Sequence, residues 1–260
     1  WECYPLDKEK KPIRRDLLGT FVHEAVAVDP QTGHIYLTED QSDGLLYRFV
    51  SEENTEIVDE NKRYLKPNFN KGKLEALKLK RDATVEWVEI KYPNPKNSQK
   101  STKIQGQEKG AFTFNGSEGI VFDDKKRILY FTAKGDNIVW MLNLIDNRLD
   151  QLYNKNTDPK PLANGLDNIT LTSNGVVVIA EDGGNMEIVA ISKDKNIPIL
   201  RLEGHTSSEI AGIAFTSDMK KLYFSSQRGL RGINSDGITY EISGNFETIQ
   251  EKNANIINSE

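Results

Sequence analysis

The stretch HEAVAVDPQTGHIYLTED, residues 23–40, has acidic residues near both ends and a Pro/Gly turn in the middle. Two short apolar runs flank the turn, which is the pattern of a β-hairpin. In a hairpin the start of the first strand lies beside the end of the second. We therefore expect Glu24 to lie next to Glu39 and Asp40 at the open end of this hairpin.

The same pattern occurs three more times along the chain. Residues 118–135, EGIVFDDKKRILYFTAKG, align with the opening stretch without a gap and place Glu118 on Glu24 and Thr132 on Thr38. Two further copies lie at residues 166–184, LDNITLTSNGVVVIAEDGG, and at residues 209–229, EIAGIAFTSDMKKLYFSSQRG. The runs are too short, and too often broken by turn residues, to be helices.

A third apolar strand follows each copy, at residues 45–50, 137–145, 186–192 and 237–243. Residues 62–92 contain one more candidate blade, formed by GKLEALKLK and TVEWVEIKY. A repeated strand, turn, strand, loop, strand unit is typical of a β-propeller, whose blades are about 40 to 45 residues long. The sequence predicts an all-β protein: one propeller domain over residues 1–260 with five to six blades and a polar tail from about residue 244. A non-repeating β-sandwich is the alternative.

Composition excludes several classes of function. The 260 residues carry a formal net charge of -5, and the basic residues do not cluster with aromatic residues, so we expect no nucleic-acid partner. No apolar run reaches the roughly 18 residues of a spanning helix, so we expect no membrane contact, and we expect a monomer. The single Cys3 excludes an internal disulfide framework and a cysteine zinc cage. No signal peptide is recognisable in this sequence.

The repeat predicts that acidic and amide side chains meet at one end of the propeller channel. Blades repeat around an axis, so the open ends of the inner hairpins face the same way. Carboxylates gathered in this way must take up protons or share a cation, and oxygen ligands suit calcium better than zinc or copper. The candidate metal ligands are Glu24, Glu39, Asp40, Glu118, Asn168, Glu181, Asp182, Glu209 and Gln227.

The segment LLGTFVHEAVAVDPQTGHIYLTEDQSDGLLYRFV resembles the strand block of the PhoX-type alkaline phosphatases, which contains an HE, an AVDP, a TG and a TED motif in this order. GKLEA, SEG, LDN followed by ED, and EIAGIAFTSDMKKLY followed by QRG resemble the later motifs of that family. The similarity runs in order from about Trp1 to Ser243. The first and last motifs are specific, whereas GKL and EG are weak alone.

The resemblance implies a secreted or periplasmic six-bladed propeller that hydrolyses small phosphate monoesters with a calcium and iron cluster. Carried over to this chain, Glu24, Glu118 and Asp182 are cluster ligands, and the N-terminal part of the family domain is expected to be missing. Two positions depart from the family pattern. Cys3 does not lie in a Gly-rich segment like that of the iron-binding cysteine, and Gly116 stands where the family places a phosphate-binding arginine.

The positive charge that would bind phosphate has other candidates in the sequence, namely Arg228, Arg231 and Lys134, of which Arg228 is preferred. Two further functions remain open. The stretch LANGLDN resembles the NG strand of gluconolactonase-like and regucalcin-like propellers, which predicts a lactone hydrolase with a single metal ion. The third hypothesis is a non-catalytic propeller that calcium stabilises.

Overall fold

Strands dominate the computed structural model, which describes residues 1–59, 62–159, 161–191 and 196–249. The strands within these ranges are β1 His23–Val28, β2 Ile35–Glu39, β3 Leu46–Ser51, β4 Asn54–Asp59, β5 Lys62–Pro67, β6 Gly72–Leu79, β7 Val85–Ile90, β8 Ser117–Asp123, β9 Ile128–Ala133, β10 Ile138–Asn143, β11 Arg148–Asn154, β12 Leu166–Leu171, β13 Val177–Glu181, β14 Glu187–Ile191, β15 Ile197–Arg201, β16 Ile210–Phe215, β17 Lys221–Ser226 and β18 Ile238–Ser243. The helical elements are α1 Thr102–Glu108 and the 3-10 turns Asp16–Leu18, Asn234–Asp236 and Phe246–Thr248.

The strands pair into four antiparallel sheets and one separate hairpin in the described ranges. Sheet I has the order β1-β2-β3-β6-β7, sheet II β11-β10-β9-β8, sheet III β12-β13-β14-β15 and sheet IV β16-β17-β18, while β4 pairs with β5. The prediction of an all-β propeller is confirmed. All four predicted hairpins form, and the four predicted third strands are β3, β10, β14 and β18; residue 192, at the end of one prediction, lies outside the described residues.

The prediction that residues 62–92 form a further blade is wrong. β6 pairs with β3 and β7 pairs with β6, so GKLEALKLK and TVEWVEIKY extend sheet I. The β4–β5 hairpin is an insertion between β3 and β6, and it joins the first turn through a bond from the Leu65 amide to the Pro30 carbonyl. The described residues consequently hold four blade-like sheets, fewer than the five to six that the chain length suggests.

The sheets stack face to face through apolar cores. β2 shows why, because its alternate residues serve two cores: Tyr36 packs towards sheet II, while Ile35 and Leu37 pack on the other face of sheet I. Similar cores join sheet II to sheet III and sheet III to sheet IV. The first strand of each sheet is innermost, since β8 lies between β1 and β12, and β12 contacts β16. The open ends of the four hairpins therefore lie close together.

The opposite ends of the hairpins, at the turns, contain acids of a structural kind. Asp29 is fully buried, and its carboxylate accepts bonds from the Gln31 amide at 3.0 Å and the Thr32 hydroxyl at 2.6 Å. Arg127 of sheet II binds the same carboxylate with both terminal nitrogens, at 2.6 and 2.5 Å. This bidentate pair ties the turn of sheet I to that of sheet II.

Residues 244–249 do not form the predicted polar tail. Phe246 is buried in the core between sheets III and IV, and Ile249 packs against that core. The rest of the predicted tail, residues 250–260, lies outside the described residues. Among the residues that the structure describes, no helix is both long and apolar enough to cross a bilayer.

Candidate functional site

A β-bulge shapes the open end of every inner hairpin. In sheet I His23 pairs with Glu39 and Val26 pairs with Leu37, so the first strand has one extra residue between these pairs. The same register shift occurs in sheets II, III and IV. The residues within the bulges are Glu24 with Ala25, Glu118 with Gly119, Asp167 with Asn168, and Gly212 with Ile213. A bulge redirects the side chains it contains, and here three of the four bulges begin with an acid.

Glu209 does not occupy the repeat position that the sequence alignment gives it. The amide of Asp40 donates to the Val22 carbonyl, and in sheet IV the amide of Gln227 donates to the Glu209 carbonyl. Glu209 is thus paired as Val22 is, but the first strand of sheet IV has one more paired residue before its bulge, and it is Gly212 in the bulge that takes the position of Glu24. The Glu209 carboxylate nevertheless reaches the same region, because a bridge joins the backbones of Glu209 and Asp182.

Six carboxylates converge where the four hairpins open, and we name this group the acidic mouth. Its members are Glu24, Asp40, Glu118, Asp167, Asp182 and Glu209. On the side of sheets I and II, one carboxylate oxygen each from Glu24, Asp40 and Glu118 lies within 4.8 Å of the other two. Glu118 is buried, Asp40 half-buried and Glu24 exposed, so this group of three is open to solvent on one side.

On the side of sheets II and III a lysine binds the acids. The Lys134 ammonium lies 2.5 Å from Glu118, 3.0 Å from Asp167 and 3.2 Å from Asp182. Asp167 was not among the predicted ligands, although it is buried at the centre of the mouth. The repeat was the signal that could have identified Asp167, because Asp167 stands at the position that Glu24 occupies in the first copy.

On the side of sheet IV an arginine binds the acids. The Arg228 guanidinium lies 3.4 Å from Asp182 and 3.4 Å from Glu209, and it also donates to the Gln227 side chain. The structure thus brings the predicted phosphate-binding residue to the mouth. Arg231 does not belong there, because it forms an exposed ion pair with Asp236 at 2.8 Å.

Glu39 and Glu181, two of the predicted metal ligands, instead accept hydrogen bonds from residues in or next to their own sheets. The Glu39 carboxylate accepts from the Leu45 amide and the Tyr47 hydroxyl, both at 3.0 Å. The Glu181 carboxylate accepts from the amides of Asn164 at 2.8 Å and Glu187 at 2.9 Å. Both residues are buried, and each fixes the strand that follows in its sheet. We therefore leave them out of the candidate metal site.

Asn168 also has its polar atoms engaged within the protein. Its side-chain carbonyl accepts a bond from the Gly212 amide, and its side-chain amide donates to Asp167 at 2.9 Å. These bonds connect sheet III with sheet IV and hold the Asp167 carboxylate in place. Asn168 therefore positions a member of the mouth, whereas the sequence predicted it to be a metal ligand.

Charge crowding appears in the pKa values of the mouth. Burial raises the pKa of Glu118 to about 7, and Asp167 and Asp40 add to this while Lys134 opposes it. Burial and the neighbouring charges of Asp167 and Asp40 also raise the pKa of Glu24. The pKa of Glu209 rises through burial together with Asp167 and Asp182. Each of these acids holds its negative charge at a cost that a bound cation would remove.

Two threonines place the bulges of neighbouring sheets. Thr38 accepts from the Ala25 amide at 3.0 Å and donates to the Glu118 carbonyl of the next sheet at 2.6 Å. Thr132, at the same repeat position, donates to the Asp167 carbonyl at 2.6 Å. Both hydroxyls are fully buried, so the match between Thr132 and Thr38 in the sequence marks a contact that sets the spacing of the acids.

Four stacked antiparallel sheets, with carboxylates gathered at the open ends of their inner hairpins, define a β-propeller protein with an acidic channel mouth. Comparison with protein families makes the class specific. The family described as alkaline phosphatase PhoX matches residues 1–137, which is more than half of the chain. The chain belongs to the PhoX alkaline phosphatase family, whose members are hydrolases. No curated protein matches the sequence.

A solved phosphatase structure shows the same fold at low sequence identity. Pseudomonas fluorescens PhoX in complex with vanadate, a transition state analogue, is 16% identical with a TM-score of 0.67, and the match covers 93% of this chain and 56% of that one. The chain thus spans less than two thirds of that relative's length. A regucalcin from Agrobacterium tumefaciens is 12% identical with a TM-score of 0.39, covering 86% of this chain and 90% of that one.

Proposed function

We propose that this protein is a metal-dependent phosphatase that hydrolyses small phosphate monoesters at the acidic mouth. One observation carries the proposal: Glu24 and Asp40 of sheet I and Glu118 of sheet II present carboxylate oxygens within 4.8 Å of one another. The family membership supplies the reaction class. A bare acidic mouth would repel a phosphate ester, and a bound cation reverses that sign.

The donor atoms fit calcium. Glu24, Asp40 and Glu118 offer hard carboxylate oxygens from separate loops and strands, and the exposed side of the group leaves room for water or a substrate oxygen. The fit to iron through a thiolate is poor, since the group contains no sulfur and Cys3 is exposed in the N-terminal segment. We therefore propose calcium, and we do not extend the family's iron to this chain.

In this proposal Glu24, Asp40 and Glu118 hold the cation. Bound calcium would act as a Lewis acid that polarises the phosphoryl group. Arg228 is the residue of this chain that we assign to phosphate contact. Its guanidinium is partly exposed and makes contacts of 3.4 Å with Asp182 and Glu209, so a phosphate oxygen can compete for its donors.

Hydrolysis of p-nitrophenyl phosphate tests the proposal. We expect turnover with calcium, its loss with a chelator, and its loss in Glu24→Gln, which keeps the shape of the side chain but removes a ligand charge. Glu56→Gln on the separate β4–β5 hairpin is the matched control and retains wild-type turnover. Absence of turnover under every metal condition would reject the catalytic function, and calcium-dependent stability would then favour the non-catalytic propeller.

The lactone hydrolase is not favoured by the structure, because the predicted asparagine ligand Asn168 is bonded to Gly212 and Asp167. A secreted or periplasmic location follows only from the family and is part of the proposal. Calcium at the concentrations outside the cytoplasm is sufficient for sites with Kd values of about 10⁻⁴ to 10⁻³ M.

A further inference from the structure

One position of the repeat carries an acid in two sheets and a lysine in another. It is the residue just after the second strand, whose amide closes the hairpin by donating to a carbonyl opposite, at 3.0, 2.8, 2.8 and 2.9 Å in sheets I to IV. The residues at this position are Asp40, Lys134, Asp182 and Gln227. Sheet II thus presents a cation where sheets I and III present carboxylates.

The ammonium group of Lys134 is held by acids from two sheets. Its three ion-pair partners are Glu118, Asp167 and Asp182, at 2.5, 3.0 and 3.2 Å. Glu118 and Asp167 expose only 4% of their side chains and Lys134 exposes 33%, so the pairs are largely shielded from water. A lysine ammonium has three hydrogens to donate, which matches its three carboxylate partners.

Without Lys134, the carboxylates of Glu118, Asp167 and Asp182 would face one another, the first two of them shielded from water. Such a group ordinarily takes up protons or binds a metal ion. Here the chain itself supplies the positive charge, at the place where a second divalent ion would have to bind. Arg228 lies on the far side of Asp182 and adds to this internal neutralisation.

We propose that Lys134 is a built-in cation that replaces a second divalent ion, so that the acidic mouth binds a single divalent ion at Glu24, Asp40 and Glu118. This inference deepens the proposed phosphatase function and rests on it, because it specifies how many metal ions the site takes. It also separates the acids of the mouth: Glu24 and Asp40 hold the metal, Asp167 and Asp182 hold the lysine, and Glu118 lies between and contacts both groups.

Calcium stoichiometry tests the role of Lys134. Isothermal titration and metal analysis after dialysis against calcium are expected to give a single ion for the wild type. Lys134→Met removes the ammonium but keeps the aliphatic stem, and we expect it to bind a second ion. Lys134→Arg restores the charge and the single ion. Lys221→Met is the matched control, since it breaks a surface pair with Glu241 far from the mouth and leaves the stoichiometry unchanged.

A second variant keeps the test decisive if Lys134→Met does not fold. In the wild-type background, Asp182→Asn is expected to leave calcium stoichiometry and affinity unchanged, whereas Asp40→Asn abolishes binding. A weaker calcium affinity in Asp182→Asn would overturn the inference, as would two or more ions in the wild type.

A folded Lys134→Met that still binds a single ion would also overturn it while leaving the phosphatase proposal intact. A wild type that binds no calcium would reject both the metal site and the inference. The p-nitrophenyl phosphate assay distinguishes the remaining cases, since turnover with a single bound ion supports both proposals, and turnover with several ions supports only the first.

Discussion

The two ends of the inner hairpins carry acids in opposite electrostatic states. At the turn end, burial alone would raise the pKa of Asp29, but bonds from Arg127 and Thr32 outweigh it and hold the pKa below its ordinary value. At the open end, burial raises the pKa of Glu118 to about 7 despite Lys134. Both acids are buried in inner hairpins of the same fold, so the repeat itself does not explain the difference.

The number of carboxylates per cation explains it. Asp29 has the guanidinium of Arg127 to itself, apart from a 3.5 Å contact of Arg127 with the exposed Asp124. Glu118 shares the ammonium of Lys134 with Asp167 and Asp182. A matched pair stabilises the fold, whereas a surplus of carboxylates is a feature of sites that bind something positive. The comparison therefore separates structural from functional acids.

Breaking the matched pair at the turn end is expected to have the largest effect on stability. Arg127→Met keeps the aliphatic stem but leaves Asp29, whose side chain is 1% exposed, without its counter-charge. Loss of one partner of a buried pair costs about 3 to 5 kcal/mol. Urea unfolding measures this loss.

Arg63→Met is the control for that measurement, because Arg63 and its partner Glu56 are exposed on the β4–β5 hairpin. It is expected to change the free energy of unfolding by about 0.5 kcal/mol or less. Equal effects of the two substitutions would contradict the assignment of Asp29 as a structural acid.

The pH dependence of stability should have opposite signs at the two ends. When a chelator removes metal ions, the Glu118 carboxyl of the folded protein has a pKa of about 7, whereas an ordinary glutamate has a pKa of 4.5. The folded state therefore binds more protons between these values, and its stability falls by about 3 kcal/mol as the pH rises from 4.5 to 7. For Asp29 the folded pKa is depressed, so its contribution is lost as the pH falls.

Urea unfolding between pH 4.5 and 8 in the presence of a chelator checks this contrast. Glu118→Gln should flatten the decline, while Glu56→Gln should not. A wild-type stability that rises steadily from pH 4.5 to 7 would show that the mouth is not strained by its charges.

Much of the fold was predictable from sequence because each hairpin is local. Alternating apolar residues and turn residues define the strands, and the gapless match of Glu118 to Glu24 correctly places both at the mouth. The pairing of β6 with β3 was not predictable in this way. It crosses the inserted β4–β5 hairpin, and no local pattern tells a strand whether it extends one sheet or starts the next.

The site was predictable to the level of position but not of side-chain direction. Neighbouring residues of a strand point to opposite faces, so Asp40 enters the mouth while Glu39 turns to the Leu45 amide. A bulge adds one residue and reverses the faces locally, so strand alternation did not separate Asp167 from Asn168, and the alignment placed Glu209 at the position that Gly212 occupies.

Calcium is expected to relieve the strain at the open end and leave the turn end unaffected. A ligand present at about 100 times its Kd stabilises the folded state by about 2.7 kcal/mol. Asp40→Asn should remove this calcium-dependent gain, because Asp40 belongs to the proposed ligand group. Asp43→Asn alters a nearby acid that pairs with Lys103, and it should retain the gain. Thermal unfolding with and without calcium measures the difference, and a gain that survives in Asp40→Asn would exclude this ligand set.

The threonines give the smallest and most discriminating effect. Thr38→Val and Thr132→Val each remove one buried hydroxyl that binds a carbonyl of the next sheet, and each should cost about 1 to 2 kcal/mol. Thr239→Val, which removes an exposed hydroxyl, serves as the control.

The two buried-threonine variants should differ in calcium affinity, because Thr38 positions the metal ligand Glu118 whereas Thr132 positions Asp167, which binds Lys134. A calorimetric titration in which Thr38→Val weakens calcium binding and Thr132→Val does not would map the boundary between the two halves of the acidic mouth. Equal weakening in both variants would mean that Asp167 is a ligand as well, and that the mouth acts as one undivided site.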